Sequence, residues 1–197
     1  MNNETKEVKI MLTKARLISY SQPPEGELYV GNDVQELISY CARVSNPANQ
    51  QSHETSEKLI RYLCKHKHWS PLEMASACIE VETTRDIAHQ IVRHRSFSFQ
   101  EFSQRYAEPS AMGDAFIKRE CRLQDTENRQ NSIEIENDPS LVENQAHQEL
   151  IAEWNRRQQG VIKQCSDAYE WAISKGIAKE QARAVLPEGL TKTKLYM

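Results

Sequence analysis

The chain has 197 residues, of which 27% are charged and 39% apolar, with a formal net charge of −3. That length suits one domain with a real core, and the slight acidic excess excludes a chain that binds nucleic acid through a global positive charge. No apolar run approaches the roughly 18–20 residues that span a bilayer, the N-terminus lacks a signal-peptide core, and five scattered cysteines without C-x-x-C spacing read as free thiols of a reducing cytosol, so a cytoplasmic protein is expected.

In chain order, Val8, Ile10 and Leu12 alternate with polar neighbours and predict a half-buried strand. The stretch "ISYSQPPEGELYVGND" is turn-rich and reads as a loop. Val34, Leu37, Ile38, Cys41 and Val44 then recur at helical spacing, and Asp33 with Glu36 supplies a start resembling a capping box. A second helix is expected from about Glu54 to Lys67 and is broken by "HWSPLE", because proline disfavours helical geometry in the residue before it. Ala75, Ala77, Ile79 and Val81 alternate with polar residues as a strand. Thr84 is placed to cap a short helix whose first turn carries Asp86.

From Glu108 to Pro139 the composition is polar and predicts a long excursion. A helical pattern follows through Leu150, Trp154, Ile162, Tyr169 and Ile173, with Gly176 placed as its C-terminal cap. "AKEQARAV" is a further short helix, stopped before Pro187, and "TKTKLYM" opens another element. There is no internal repeat and no sign of a second domain.

Six glycines, none in a Rossmann or P-loop pattern, leave phosphate recognition to side chains, for which the planar fork of arginine is suited. The run "RHRSFSFQEFSQRY", Arg93 to Tyr106, gathers three arginines, a histidine, a glutamate, three serines and three phenylalanines. Gln90, Arg93 and His94 would share one helix face. In an extended segment Glu101, Ser103 and Arg105 would point one way, and Gln100, Phe102 and Gln104 the other. From the residues alone three readings stand: a pocket for a phosphate-bearing ring, a single-strand nucleic-acid strip with stacking phenylalanines, or a surface ion-pair network over packed rings. Ser103 lacks the G-x-S-x-G setting of a hydrolytic nucleophile. His66 and His68 have helix-incompatible spacing and no third ligand, so no metal is expected.

The pattern Arg93-His94-Arg95, seven intervening residues and Ser103, with Glu101 before the serine and Arg105-Tyr106 after it, resembles the signature of flavin-dependent thymidylate synthases. "CARVSNP" (41–47), "HKHWSPLE" (66–73), "IAHQIVRHR" (87–95) and "ARAVLPEGL" (182–190) resemble further blocks of that family, in the same order. The resemblance implies conversion of dUMP to dTMP, with FAD bound, methylenetetrahydrofolate as carbon donor and NADPH as reductant. Hydride would come from the reduced flavin, without an obligatory cysteine nucleophile. It also implies a homotetramer whose active sites are shared between subunits, without nucleic-acid or membrane partners.

Carried over by position, Gln90, Arg93, Glu101, Phe102, Ser103, Gln104, Arg105 and Arg183 would bind dUMP, with Gln104 acting through its backbone. Ser45, His68, Ser70, Arg93, His94, Arg95, Ser96 and Glu101 would contact FAD. The family pattern continues past the position of Met197, and its uracil-activating arginine would lie there, so no catalytic residue is assigned. A split or inactive member that retains nucleotide and flavin binding is the alternative reading. The fold expected is α/β (α+β): one domain spanning 1–197, C-terminally incomplete relative to the family, with a mixed or antiparallel sheet packed with helices, one of them long.

Overall fold

The computed structural model describes residues 13–136 and 138–197. The expected strand of Val8, Ile10 and Leu12 lies outside them. The described chain divides into two compact units, one of Arg16–Glu80 and one built mainly of Val81–Met197.

β1 (Lys14–Tyr20), most of it in the first unit, is the sheet neighbour of β2 (Ala77–Thr84). β1 takes in Ile18, Ser19 and Tyr20, which the sequence assigned to a loop. Its residues are all exposed, which is why the loop composition around it masked the strand. Between the strands stand α1 (Val34–Ala42) and α2 (Ser56–Lys65), which pack on each other, while a 3-10 turn at Ser70–Met74 packs on α1.

Asp33 accepts hydrogen bonds from the backbone N–H groups of Gln35 and Glu36, and Glu36 reaches back to accept from Asn32 N at 2.6 Å. Gly31 permits this closure: at φ +118, a Cβ there would sit 2.3 Å from Glu36 Cβ. α2 stops at Lys65, before the proline that was expected to end it. Lys67 takes a left-handed φ of 58, and His68 N returns to Leu63 O while Lys67 N returns to Cys64 O. This pair of bonds is a Schellman stop with lysine in the glycine position.

The strand expected around Ala75–Glu82 is β2, shifted two residues onward. Its alternation is imperfect, because Glu80 is buried beside Val81 and met by the Arg16 guanidinium at 3.0 Å.

In the second unit, the latter half of β2 lies beside β6 (Lys192–Tyr196), and β6 pairs antiparallel with β3 (Gln100–Glu101) in the register Gln100↔Tyr196 and Glu101↔Leu195. Between β2 and β3 runs α3 (Arg85–Ile91). The polar excursion contains an antiparallel hairpin, β4 (Arg122–Gln124) with β5 (Ser132–Glu134). Asp125 closes its turn by accepting from the N–H groups of Glu127 and Asn128, and Ile117 and Ile135 are buried on either side. Both strands have only three residues, too few for a periodic signal.

After a short α4 (Pro139–Val142) comes α5 (Gln145–Ser174), the long helix anticipated. It ends as expected at Gly176, φ 76, with Ile177 N bonded to Ala172 O and Gly176 N to Ile173 O. Tyr169 and Ala172 of α5 pack on Ala182 of α6 (Lys179–Ala182) and on Leu186, with Phe116 and Ile173 against them. Gln158, buried in α5, accepts from Arg119 N at 2.7 Å and donates to Arg119 O at 2.9 Å, so a side-chain amide stands in for a strand partner.

Candidate functional site

α3 starts where the backbone of residues 188–191 supplies acceptors for its free N–H groups: Arg85 N bonds Thr191 O at 3.1 Å and Asp86 N bonds Glu188 O at 3.4 Å. Thr84 occupies the cap position, but its hydroxyl does not cap the backbone. It donates to the Asp86 carboxylate and accepts from Arg119 Nη1.

The anchored helix presents Arg85 to Glu101 of β3 at 3.2 Å, with both side chains largely buried. Thr193 of β6 donates to the same Glu101 oxygen at 2.9 Å. On the other side, Arg85 Nη2 lies 3.4 Å from His89 Nε2, and His89 Nδ1 lies 3.2 Å from a Glu188 oxygen. An imidazole that accepts from Arg85 at Nε2 carries its proton on Nδ1, facing Glu188. Thr193, Glu101, Arg85, His89 and Glu188 thus form one connected chain.

Two adjoining concavities open along this chain. One, of about 430 Å³, is lined by residues 100–106 with Arg85 and Arg183. The other, of about 520 Å³, shares Arg85, Gln104 and Arg183 and adds His89, Leu186 and Glu188. Three guanidiniums, a serine hydroxyl and amide donors in one recess suit an oxyanion joined to a polar ring. A third concavity, of about 490 Å³, has Phe102, Ser103, Met112 and Tyr196 on its walls together with Glu82, Lys192 and Lys194. There the Lys194 ammonium bonds Glu82 at 3.0 Å and holds its carboxyl below the usual carboxylate range, with Lys192 adding to the effect and partial burial opposing it.

The structure brings Glu101, Phe102, Ser103, Gln104, Arg105 and Arg183 to one recess. Gln90 and Arg93 are exposed and do not line it. α3 ends at Ile91, so Arg93 and His94 sit in the following turn and share no helix face with Gln90. The expected extended alternation also stops early. β3 has two residues, and the chain then turns, with Tyr106 N and Ala107 N both bonded to Ser103 O. That turn folds residues of both expected faces, Phe102 and Gln104 as well as Ser103 and Arg105, onto the same recess.

His94, Arg95 and Ser96 are exposed beside Arg93. The His94 ring stacks on Phe97 at 4.3 Å, and Phe97 remains 47% exposed, so this ring is not packed into a core. Ser45, His68 and Ser70 belong to the first unit, all exposed: Ser45 just after α1, His68 at the stop of α2, and Ser70 opening the 3-10 turn. His68 stands 6.2 Å from both His66 and Tyr62, ring to ring.

Sequence reasoning missed Arg85, His89, Thr193 and the lysines of β6. The period-two pattern of "TKTKLY" was the available signal for the last three. Arg85 carries no local signal, because its partners are fixed by topology. Among the described residues no group of three or more His, Cys, Asp or Glu is arranged to hold a metal, and no helix is long and apolar enough to cross a membrane.

Comparison with known proteins places these features in context. The sequence profile of the Thy1 family, described as thymidylate synthase complementing protein, matches residues 27–197. The chain is 42% identical over 186 residues to a probable flavin-dependent thymidylate synthase of Paramecium bursaria Chlorella virus 1, covering 93% of this chain and 77% of that protein. It is 41% identical over 191 residues to the flavin-dependent thymidylate synthase of Synechocystis sp., covering 95% and 76% respectively. In fold it is similar to the crystal structure of a UMP/dUMP methylase, PolB from Streptomyces cacaoi, bound with 5-Br UMP. The TM-score is 0.68 at 24% identity, over 96% of this chain and 73% of that one.

Proposed function

This chain belongs to the flavin-dependent thymidylate synthase family and is an enzyme, and we propose that its reaction is the reductive methylation of dUMP to dTMP. The observation that carries the proposal is the recess of about 430 Å³ that gathers Glu101 to Arg105 with Arg183 and Arg85. Its guanidiniums suit the phosphate of a mononucleotide, whose two negative charges a planar fork can meet through parallel hydrogen bonds. Ser103 serves as a donor or acceptor for the nucleotide, not as a nucleophile. Glu101, held by Arg85 and Thr193, is oriented before substrate arrives.

FAD is the cofactor of this reading, with NADPH and methylenetetrahydrofolate as co-substrates. The donor set fits such a group: Arg93, His94 and Arg95 are consecutive, exposed and cationic or protonatable beside the Phe97 ring, as an anionic pyrophosphate next to an aromatic system would require. Arg93, His94, Arg95, Ser96 and Glu101 of the second unit would hold it. When bound, the flavin supplies hydride chemistry. The reading includes a single catalytic domain, a homotetramer with active sites shared between subunits, and a cytoplasmic setting.

Purified protein titrated with FAD develops flavin absorbance, binds dUMP by calorimetry, and forms dTMP when NADPH and methylenetetrahydrofolate are added. Arg183→Ala weakens dUMP binding by about tenfold or more, because it removes a charge-assisted contact. Protein that binds neither FAD nor dUMP overturns the proposal.

A further inference from the structure

The long helix α5 has two stripes at three-four spacing, and only one of them is covered. Gln158, Ile162, Tyr169 and Ala172 lie on the inner stripe and are buried. One position before each inner residue runs an outer stripe. It carries Leu150, Trp154, Val161, Ala168 and Trp171, interrupted by Arg157 and Gln164, and every one of these side chains is exposed. The four large apolar ones are 41–60% exposed. Single exposed apolar residues need no explanation. A repeat of 3.5 residues sustained over about 32 Å of helix is instead the seam along which a second helix packs at a shallow angle.

A concavity of about 340 Å³ adjoins this seam, between Trp154 and Val161 on one side and Pro187 and Leu190 on the other. The polar atoms at its walls are already engaged. Trp154 Nε1 donates to Arg119 O at 3.1 Å, both ends of the Gln158 amide bond the Arg119 backbone, and Arg119 and Asp86 at its edge face each other at 3.8 Å. Such a recess takes an apolar anchor side chain. On the free flank of the seam the charges are Glu149 and Glu153, then Arg156 and Lys163, then Asp167 and Glu170. A second α5 laid antiparallel along the whole seam would set Glu149 against Glu170, Glu153 against Asp167 and Arg156 against Lys163, like charge against like.

We propose that the outer seam of α5 docks an amphipathic helix of a different polypeptide, about 20 residues long. Its apolar residues recur at three-four spacing, with one large apolar side chain seated between Trp154 and Leu190. Basic residues flank its two ends and acidic residues its centre, complementing the flank of α5. The inference stands independently of the nucleotide reading.

Two synthetic peptides test this on the full chain. Both carry leucines at three-four spacing over about 20 residues; one has lysines flanking its ends and glutamates its centre, and the other has these charges exchanged. Trp154 and Trp171 are two of the three tryptophans of the chain, so docking is read as a blue shift of tryptophan emission and confirmed by calorimetry. Val161→Lys and Trp171→Ser, both at exposed positions, are checked for folding by circular dichroism and titrated in parallel.

The expected result is that wild type binds the first peptide at least about tenfold more tightly than the second, with the gap narrowing as salt is raised. Each variant binds the first peptide about tenfold or more weakly than wild type does. Wild-type protein that binds neither peptide, or both equally, overturns the inference, as does unchanged binding in both variants. Sedimentation showing wild-type self-association that Val161→Lys abolishes also overturns it, because the seam would then belong to a second copy of this chain.

Discussion

Arg85 and Glu101, sixteen residues apart in sequence, meet at 3.2 Å with 12% and 20% of their side chains exposed, and Thr193 holds the same carboxylate from a third segment. Removing one partner of so shielded a pair leaves the other charge desolvated. Arg85→Ala is therefore expected to cost about 2–4 kcal/mol of folding stability, read from denaturant melts. Arg85→Lys recovers part of it, since lysine keeps the charge but loses the fork. A double-mutant cycle with Glu101→Gln that shows no coupling energy would refute the pairing.

The group Glu82, Lys192 and Lys194 makes stability depend on pH in a defined direction. Glu82 titrates lower in the folded chain than in the unfolded one. Its contribution is therefore fully present above the unfolded carboxylate range and is lost as pH falls through the folded value. Melts between pH 7 and pH 3 should show less acid-induced destabilisation in Glu82→Gln than in wild type. Equal slopes in the two proteins would contradict the assignment.

The two Schellman stops differ in one residue type, and their variants should move in opposite directions. Lys67→Gly relieves a left-handed lysine and is expected to raise stability by about 1 kcal/mol. Gly176→Ala, at φ 76, should lower it by about 1 kcal/mol. Gly31→Ala is more severe, because its Cβ would have to displace Glu36 and with it the start of α1; a loss of about 2 kcal/mol or more is expected. Thermal melts of the three variants decide the ranking.

Tyr169 is buried in the contact of α5 with α6, and its hydroxyl has no partner among the described residues. Burial, with the Glu108 charge adding, pushes its phenol above the ordinary range. Tyr169→Phe removes the orphan oxygen and keeps the ring, so it should leave stability unchanged or raise it by up to about 1 kcal/mol. A loss of stability would reveal a hydrogen bond to that oxygen.

What could be read from the sequence was whatever is encoded locally. Asp33, Glu36 and Gly176 announce helix ends through their own side chains or lack of one, and the structure uses all three as the pattern implied. The recess was legible as a set of residues because most of them are consecutive. Its geometry was not. The turn after Glu101 follows from backbone bonds to Ser103 O, and the orientation of Glu101 depends on Thr193, ninety-two residues on. Lys67 shows the converse limit: nothing in a lysine announces a left-handed residue, so the end of α2 was attributed to the nearest proline.

β6 carries a further consequence. Thr191, Thr193 and Leu195 are completely buried, while Lys192 and Lys194 between them meet Glu82. A period of two leaves such a strand no neutral change of length. Inserting or deleting one residue between Gly189 and Leu195 would trade ammonium groups for hydroxyls on every position at once, uncoupling Glu101 from Thr193 and Glu82 from its lysines together. This short segment is therefore bound to a fixed residue count in a way that the hairpin at 122–134 is not, and length variation in the lineage should collect in the hairpin while the strand accepts only substitutions.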